Sequence, residues 1–238
     1  MKILAFETSA IAASVALLQD GKLVGEYYQN CGQTHSRTLM KMAQDLLENC
    51  GESIANLDAI ACAAGPGSFT GVRIGVAAAK GMAWGAEKPC VGVSTLEAMA
   101  YQAASFEGII CCAMDARRAQ VYCALFEAKA GKITRLCEDR AISIEELAQE
   151  MKKYEKPKIM VGDGAMLCYN TIGQTMPECV CASEHQRMQR AAGVALAAEA
   201  QLLSGGEFDG AELVPNYLRL SQAERERMER MKKEGENA

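Results

Sequence analysis

The sequence predicts an α/β protein made of two blocks that follow the same order of elements. Each block opens with three strand-like runs and continues with a helical pattern, although no residue-level repeat relates the two. Because Gly108 interrupts the chain between the blocks, we expect an N-terminal lobe over 1–106 and a C-terminal lobe over 107–220. A charged tail would follow at 221–238, and a helix at 191–204 is free to pack back on the first lobe.

The elements of the first block follow from hydrophobic periodicity and turn residues. Asp20-Gly21 suits the positive φ angles of a tight hairpin turn between two strands. Ser68 is an N-cap candidate for the second helix, and Ser94 with Glu97 has the spacing of a capping box. The block is therefore predicted to contain strands at 2–8, 12–18, 23–28, 57–64 and 91–93, and helices at 35–51, 69–84 and 94–105.

The second predicted helix is apolar nearly all round. Its only charges are Arg73 and Lys80, and the small residues Gly71, Gly75 and Ala79 form a row along another side. Such a helix is normally covered on several faces, and a row of small residues lets a neighbouring backbone come close. We expect a partner surface here; the alternative is that the chain's own sheet and lobes cover the helix.

The second block is less regular, and its elements are predicted from shorter patterns. Strands are expected at 109–114, 120–127, 132–137 and 158–161, and helices at 143–153 and 191–203. In the segment 224–233 charges of both signs alternate with Met228 and Met231. That pattern is typical of a solvated terminal helix or a frayed tail.

Composition limits the classes of function. The chain has 238 residues, a net charge of −5 and 11 cysteines, with no pair of C-x-x-C motifs for a zinc site. An odd number of cysteines scattered through apolar runs indicates reduced, small hydrophobic residues. The acidity and the absence of a basic, aromatic-bearing stretch disfavour an autonomous RNA-binding module. No apolar stretch is long enough to span a membrane, so a cytoplasmic protein is expected.

Two segments are candidates for nucleotide contact. Glu7-Thr8-Ser9 ends the first strand, at a position that resembles the phosphate loop of actin-like ATPases and sugar kinases; the alternative is a polar strand end. Gly65 and Gly67 precede a helix start, where free N–H groups favour an anion; the alternative is a tight turn that allows close packing. Neither segment is a Walker A motif or a dinucleotide fingerprint, and no bound cofactor is expected.

Several segments together resemble the family of bacterial threonylcarbamoyladenosine biosynthesis subunits named TsaB, over about residues 1 to 220. The matching segments are Ile3–Ser9, His35-Ser36, Gly65–Gly75, Ala79-Lys80-Gly81, Gly92–Glu97, Asp115-Ala116-Arg117 and Pro215–Arg219. The resemblance implies a two-lobed actin-like fold (ASKHA, ribonuclease H-like) and a homodimer in isolation. It also implies assembly with a catalytic paralogue of the TsaD type and an ATPase of the TsaE type, with tRNA reached only through that complex.

Differences from the catalytic paralogue are informative. The paralogue has two metal-binding histidines, spaced i, i+4, where this chain has Thr95 and Met99, and neither replaces imidazole at a catalytic metal. The paralogue's acidic residue shortly after Glu-Thr-Ser also has no match in Ala10–Ala13. The resemblance therefore implies a non-catalytic scaffold without a metal. It would support transfer of a threonylcarbamoyl group to N6 of the adenosine 3′ of the tRNA anticodon.

The expected partner surface is the pair of helices over 35–50 and 69–84. Its residues are His35, Leu39, Met42, Leu46, Gly71, Arg73, Gly75, Val76, Ala79 and Lys80. On this hypothesis, Gly75→Arg or Ala79→Arg would abolish complex formation and leave a folded monomer. The alternative function is an ATP-dependent phosphotransferase or hydrolase with Glu7 and the Gly65 loop at the nucleotide.

Overall fold

The computed structural model describes residues 1–206 and 208–219. The expected charged tail at 221–238, including the pattern at 224–233, lies outside the described residues. Within the described part of the chain, no helix combines the length and the apolar character needed to cross a membrane.

The N-terminal lobe is a five-stranded sheet with helices. Its strands are β1 (Lys2–Glu7), β2 (Ala13–Gln19), β3 (Lys22–Gln29), β4 (Ala59–Gly65) and β5 (Cys90–Ser94), and its helices are α1 (His35–Asn49), α2 (Phe69–Ala86) and α3 (Thr95–Gln102). The strand order is β3-β2-β1-β4-β5. β1 to β3 are antiparallel, whereas β4 and β5 continue the sheet in parallel. Asp20 and Gly21 both have positive φ, at 49° and 72°, which confirms the predicted tight turn.

The C-terminal lobe repeats this order of strands and helices, with one additional short strand. They are β6 (Gly108–Asp115), β7 (Gln120–Lys129), β8 (Lys132–Arg135), β9 (Arg140–Ser143), α4 (Ile144–Met151), β10 (Lys158–Val161), α5 (Ala165–Ile172), β11 (Cys179–Cys181), α6 (Glu184–Arg187) and α7 (Ala191–Leu203). The sheet runs β11-β10-β6-β7-β8, and β9 also pairs with β7. Again an antiparallel hairpin is extended by parallel strands on its other side. Two such lobes in sequence form the expected actin-like fold.

Helices cover both faces of each sheet. α1 and α2 pack on one face of the first sheet, and α7 returns from the second lobe to pack on the other face. α3 shares a core with α7 on one side and with β6 and β7 on the other, so it joins the two lobes. α4 and α5 cover the remaining face of the second sheet. The elements β9, α5, β11 and α6 were not predicted.

The expected partner face of α1 and α2 is in fact their inner face. The residues that face the chain's own sheet and are buried are Leu39, Met42, Leu46, Gly71, Gly75, Val76 and Ala79. A Cβ added at Gly71 would lie 2.1 Å from the Thr8 carbonyl oxygen, and one at Gly75 would lie 2.4 Å from Thr8 Oγ1. The row of small residues therefore allows close packing against the end of β1 rather than against the backbone of a partner. An arginine at Gly75 or Ala79 would disrupt the core and would not leave a folded monomer, which corrects that expectation.

Two glycines of α2 should respond oppositely to alanine. Gly71→Ala is expected to lower the free energy of unfolding by about 1–3 kcal/mol, because the new methyl group overlaps a backbone carbonyl. In the monomeric chain, Gly81→Ala is expected to raise it by about 0.5–1 kcal/mol, because no atom outside the nearby backbone of its own helix lies within 4 Å of the new Cβ and alanine favours helix. Urea unfolding of both variants measures this, and an equal response of the two would contradict the packing described.

Candidate functional site

Three carboxyl groups lie at the ends of three strands, one in the first lobe and two in the second, and their charges act on one another. Glu7 ends β1, Asp115 ends β6 and Asp163 follows β10. The charge of Asp163 contributes to raising the pKa of Glu7, and the charge of Asp115 contributes to raising the pKa of Asp163. The fold thus gathers acids that are far apart in sequence. Of these, Asp163 was not singled out from the sequence, although Gly162 and Gly164 on either side mark a strand end.

Glu7 is the most perturbed carboxyl group of the cleft. It is 1% exposed, and Oε1 accepts a hydrogen bond of 2.6 Å from the Ser9 amide. Neither Oε2 nor the Ser9 hydroxyl has a hydrogen-bond partner among the described residues. Burial, as the main cause, raises the pKa of Glu7 to about 7. Near neutral pH this carboxyl group therefore carries a proton part of the time.

Asp163 is held by a buried amide. Gln189 Nε2 donates a hydrogen bond of 2.7 Å to Asp163 Oδ1, and Gln189 itself is 1% exposed. Burial is the largest cause of the raised pKa of Asp163, and the hydrogen bond from Gln189 opposes it. Gln189 had no recognisable signal in the sequence, because a single glutamine between two loops carries no pattern.

The glycine loop before α2 is filled by the chain itself. A Cβ at Gly67 would lie 2.5 Å from the Ser9 carbonyl oxygen, and one at Gly65 would lie 2.5 Å from that of Asn216. The Ser68 amide donates to the Ser9 carbonyl at 2.7 Å, and Thr8 Oγ1 donates to the Gly71 carbonyl at 2.8 Å. The two candidate nucleotide segments therefore do come together. The close approaches that a phosphate would use are occupied by protein backbone.

The two positions that match the paralogue's histidines are packed. Thr95 is 0% exposed and Met99 is 2% exposed, and Met99 Sδ would lie 3.0 Å from a Cβ at Gly162. His35 is committed elsewhere, because its Nε2 lies 2.8 Å from the Ala10 carbonyl oxygen. Within residues 1–206 and 208–219, no three His, Cys, Asp or Glu side chains are arranged to hold a metal ion.

The outer face of α1 and α2 carries exposed apolar side chains. We call it the outer helix face and define it by Met40, Gly81, Met82, Trp84 and Gly85. Trp84 is 88% exposed and Met40 is 48% exposed. A groove of about 420 Å³ runs beside Met40 and Met82, and another of about 450 Å³ lies against Gly81, Met82 and Gly85. No atom lies within 4 Å of a Cβ built on either glycine.

Residues 208–219 form a strap that crosses α2. Lys80 Nζ donates to the carbonyl oxygens of Ala211 at 3.2 Å and Leu213 at 2.9 Å. Arg73 Nε donates to the Tyr217 hydroxyl at 2.7 Å. The two charged residues that were expected to face a partner thus bind the strap, although the Arg73 side chain also remains exposed.

Comparisons with known proteins give a consistent result. A family model described as TsaD: tRNA N6-adenosine threonylcarbamoyltransferase matches residues 28–227. The tRNA threonylcarbamoyladenosine biosynthesis protein TsaB of Bacillus subtilis is 33% identical over 98% of this chain and 100% of its own length. The TsaB protein of Escherichia coli is 40% identical over 69% of this chain and 72% of its own. The solved structure of YeaZ from Pseudomonas aeruginosa superposes with a TM-score of 0.78 at 26% identity, covering 91% of this chain and 99% of that one.

The buried Glu7 should make stability depend on pH. Its folded pKa of about 7 lies above the ordinary value of 4.5, so between these values the native state keeps a proton that the unfolded state has lost. Ionisation therefore destabilises the fold as the pH rises through this window. The Glu7→Gln variant has no carboxyl group to ionise at this position, so its stability does not fall in this window. Its free energy of unfolding should exceed that of wild type by up to about 3 kcal/mol above pH 7, with little difference near pH 4.5. Urea unfolding of both proteins across this range measures the difference, and a pH-independent difference would contradict the assignment.

Proposed function

The chain belongs to the TsaB family of tRNA threonylcarbamoyladenosine biosynthesis proteins, and from that premise we propose that it is the non-catalytic subunit that supports a TsaD-type transferase. It takes part in the formation of threonylcarbamoyladenosine in tRNA. In the proposed division of labour, the partner transfers the threonylcarbamoyl group to N6 of the adenosine 3′ of the anticodon. This chain stabilises the partner's active conformation and adds no reacting group.

The observation that carries the proposal is the packing of Thr95 and Met99. A catalytic metal needs ligand atoms on an accessible wall of the cleft, whereas these two side chains are buried in the core that joins the lobes. The glycine loop supports the same reading, since Ser9 and Asn216 fill it. Glu7 remains at the strand end, where its side chain is 1% exposed.

We further propose the outer helix face as the surface that binds partners. Glycine inside an exposed helix costs about 0.5–1 kcal/mol relative to alanine, so Gly81 and Gly85 are unfavourable for the isolated chain. They become favourable when another helix approaches closely, because a missing Cβ shortens the distance between helix axes. Exposed Trp84 and Met40 beside them supply apolar surface of the kind that partners cover. A helix pair from a second copy, or from the paralogous transferase, has the shape to fit this face.

The proposed assembly has three kinds of partner. In isolation the chain forms a homodimer through the outer helix face, and the transferase replaces the second copy in the active complex. An ATPase of the TsaE type joins this complex, and tRNA is modified only by the whole assembly in the cytoplasm. Membership of the TsaB family supports the partnership with a TsaD-type transferase, and the other partners and the location are part of the proposal.

Reconstitution tests the non-catalytic role. Threonylcarbamoyl incorporation into tRNA is measured with the transferase and the ATPase, with and without this chain, and with this chain alone. The expected result is activity that needs all components and none from this chain by itself. Modification or ATP turnover by the isolated chain would instead support the phosphotransferase or hydrolase alternative and return Glu7 to an active site.

Gly81→Arg tests the surface without disturbing the core. The added side chain enters open space, so the variant should keep its native circular-dichroism spectrum and a cooperative unfolding transition as a monomer, while the homodimer and the complex with the transferase should be lost in size-exclusion chromatography. Gln149→Arg is the matched control, because it adds an arginine to an exposed helix position on α4 in the other lobe. Assembly of Gly81→Arg at the wild-type level would exclude the outer helix face as the contact.

A further inference from the structure

Four arginines from three separate parts of the chain lie along one edge of the cleft; we call Arg73, Arg117, Arg118 and Arg219 the arginine rim. The strap connects them. Tyr217 of the strap accepts a hydrogen bond from Arg73, and Arg219 Nη1 donates to the Ala116 carbonyl at 2.7 Å. Arg117 and Arg118 follow directly in the turn between β6 and β7. The rim thus extends from α2 to the tip of the second lobe.

The turn that carries Arg117 and Arg118 has an unfavourable backbone conformation. Arg117, Arg118 and Ala119 have positive φ angles of 65°, 56° and 55°. Each such residue other than glycine costs about 1 kcal/mol or more. Two other hairpin turns of the chain, at Asp20-Gly21 and Ala130-Gly131, place a glycine at positive φ. A strained turn that keeps two arginines instead of glycine indicates that their side chains are needed.

The turn is fixed in a way that points the charges outward. Asp115 Oδ1 accepts a hydrogen bond of 2.7 Å from the Arg117 amide, and Ala116 N donates to the Gln120 carbonyl at 3.0 Å. The Arg117 side chain is 85% exposed, and its ion pair with Asp115 measures 3.3 Å. Among the described residues this is the one ion pair made by the arginine rim. The edge therefore carries an excess of positive charge on a chain whose net charge is −5.

An aromatic pair accompanies these charges. The rings of Phe69 and Tyr217 stack with centroids 4.0 Å apart and an interplanar angle of 5°. The Arg73 guanidinium lies 4.7 Å from the Phe69 centroid, and Tyr217 is 38% exposed. Guanidinium groups bind phosphate through paired hydrogen bonds, and aromatic rings offer a surface for bases. Proteins that bind RNA with unpaired nucleotides combine the same two kinds of side chain, arginine for the phosphates and aromatic rings for the bases.

We propose that the arginine rim contacts the phosphate backbone of the tRNA when this chain is part of the modifying complex, an inference that rests on the proposed function. The net charge opposes RNA binding by the chain alone, so the rim supplements a larger basic surface on the partner. Arg73 belongs to α2, the helix that also carries Gly81, Trp84 and Gly85 of the outer helix face. A tRNA whose phosphate backbone is bound by the transferase can therefore extend onto the arginine rim within the same complex.

The test compares tRNA affinity of the complete complex at several salt concentrations, using the double variant Arg117→Gln, Arg118→Gln. The control is Lys129→Gln, Lys132→Gln, which removes the same charge from exposed residues at the opposite end of β7. The arginine variant should bind tRNA about threefold to tenfold more weakly, and the slope of log affinity against log salt should shrink by about one to two units. The lysine variant should match wild type.

Two outcomes would overturn the proposal. One is an unchanged affinity and salt slope. The other is loss of assembly with the transferase by size-exclusion chromatography, which would assign the rim to an acidic protein surface. Arg118→Gln alone keeps the Arg117–Asp115 pair, so it tests the rim if the double variant unfolds, and it should show about half of the slope change. Failure of the proposed function is seen separately, as wild-type modification that does not need this chain.

Discussion

The close contact between the end of β1 and the start of α2 determines which face of α2 is buried and which face is exposed. Thr8 Oγ1 donates to the Gly71 carbonyl, and the Ser68 amide donates to the Ser9 carbonyl. Side chains at Gly71 would separate the two elements, because the Thr8 carbonyl occupies the space of a Cβ. The contact presses one face of α2 into the sheet, so the opposite face, with its unfilled glycines, must point outward.

The same contact closes the place where an actin-like protein would bind a phosphate. Backbone at Ser9 fills the loop, and Glu7 next to it is buried, with Oε2 making no hydrogen bond to the described residues. Burial raises the pKa of Glu7 to about 7, and the resulting protonation limits the electrostatic cost to the fold.

The sequence was sufficient to predict the helices and strands of the first lobe. It was insufficient to predict which other elements they contact. Periodicity identified α1 with its apolar stripe at Leu39 and Leu46, but a stripe shows which face is buried and not what covers it. The partner-face residues were therefore misassigned to an external helix. In the second lobe, β9 and β11 are too short for a period to be visible, and α5 is apolar on several sides. The pair of Asp163 with Gln189 depends on loops that only the fold brings together.

For contact with RNA, the position of the charged residues on this chain matters more than its net charge. A net charge of −5 and the lack of a basic run predict a poor autonomous RNA binder, yet these quantities average over the whole surface. The strap brings Arg219 to Ala116 and Tyr217 to Arg73, which concentrates positive charge at one edge. Coulomb energy falls with distance and is screened within about 8 Å at physiological salt, so a neighbouring phosphate responds mainly to the charges of this edge, Asp115 included, and less to acids elsewhere on the surface. On the proposed function, a chain that is acidic overall can therefore bind free RNA poorly and still contact, through the arginine rim, a strand that its partner holds.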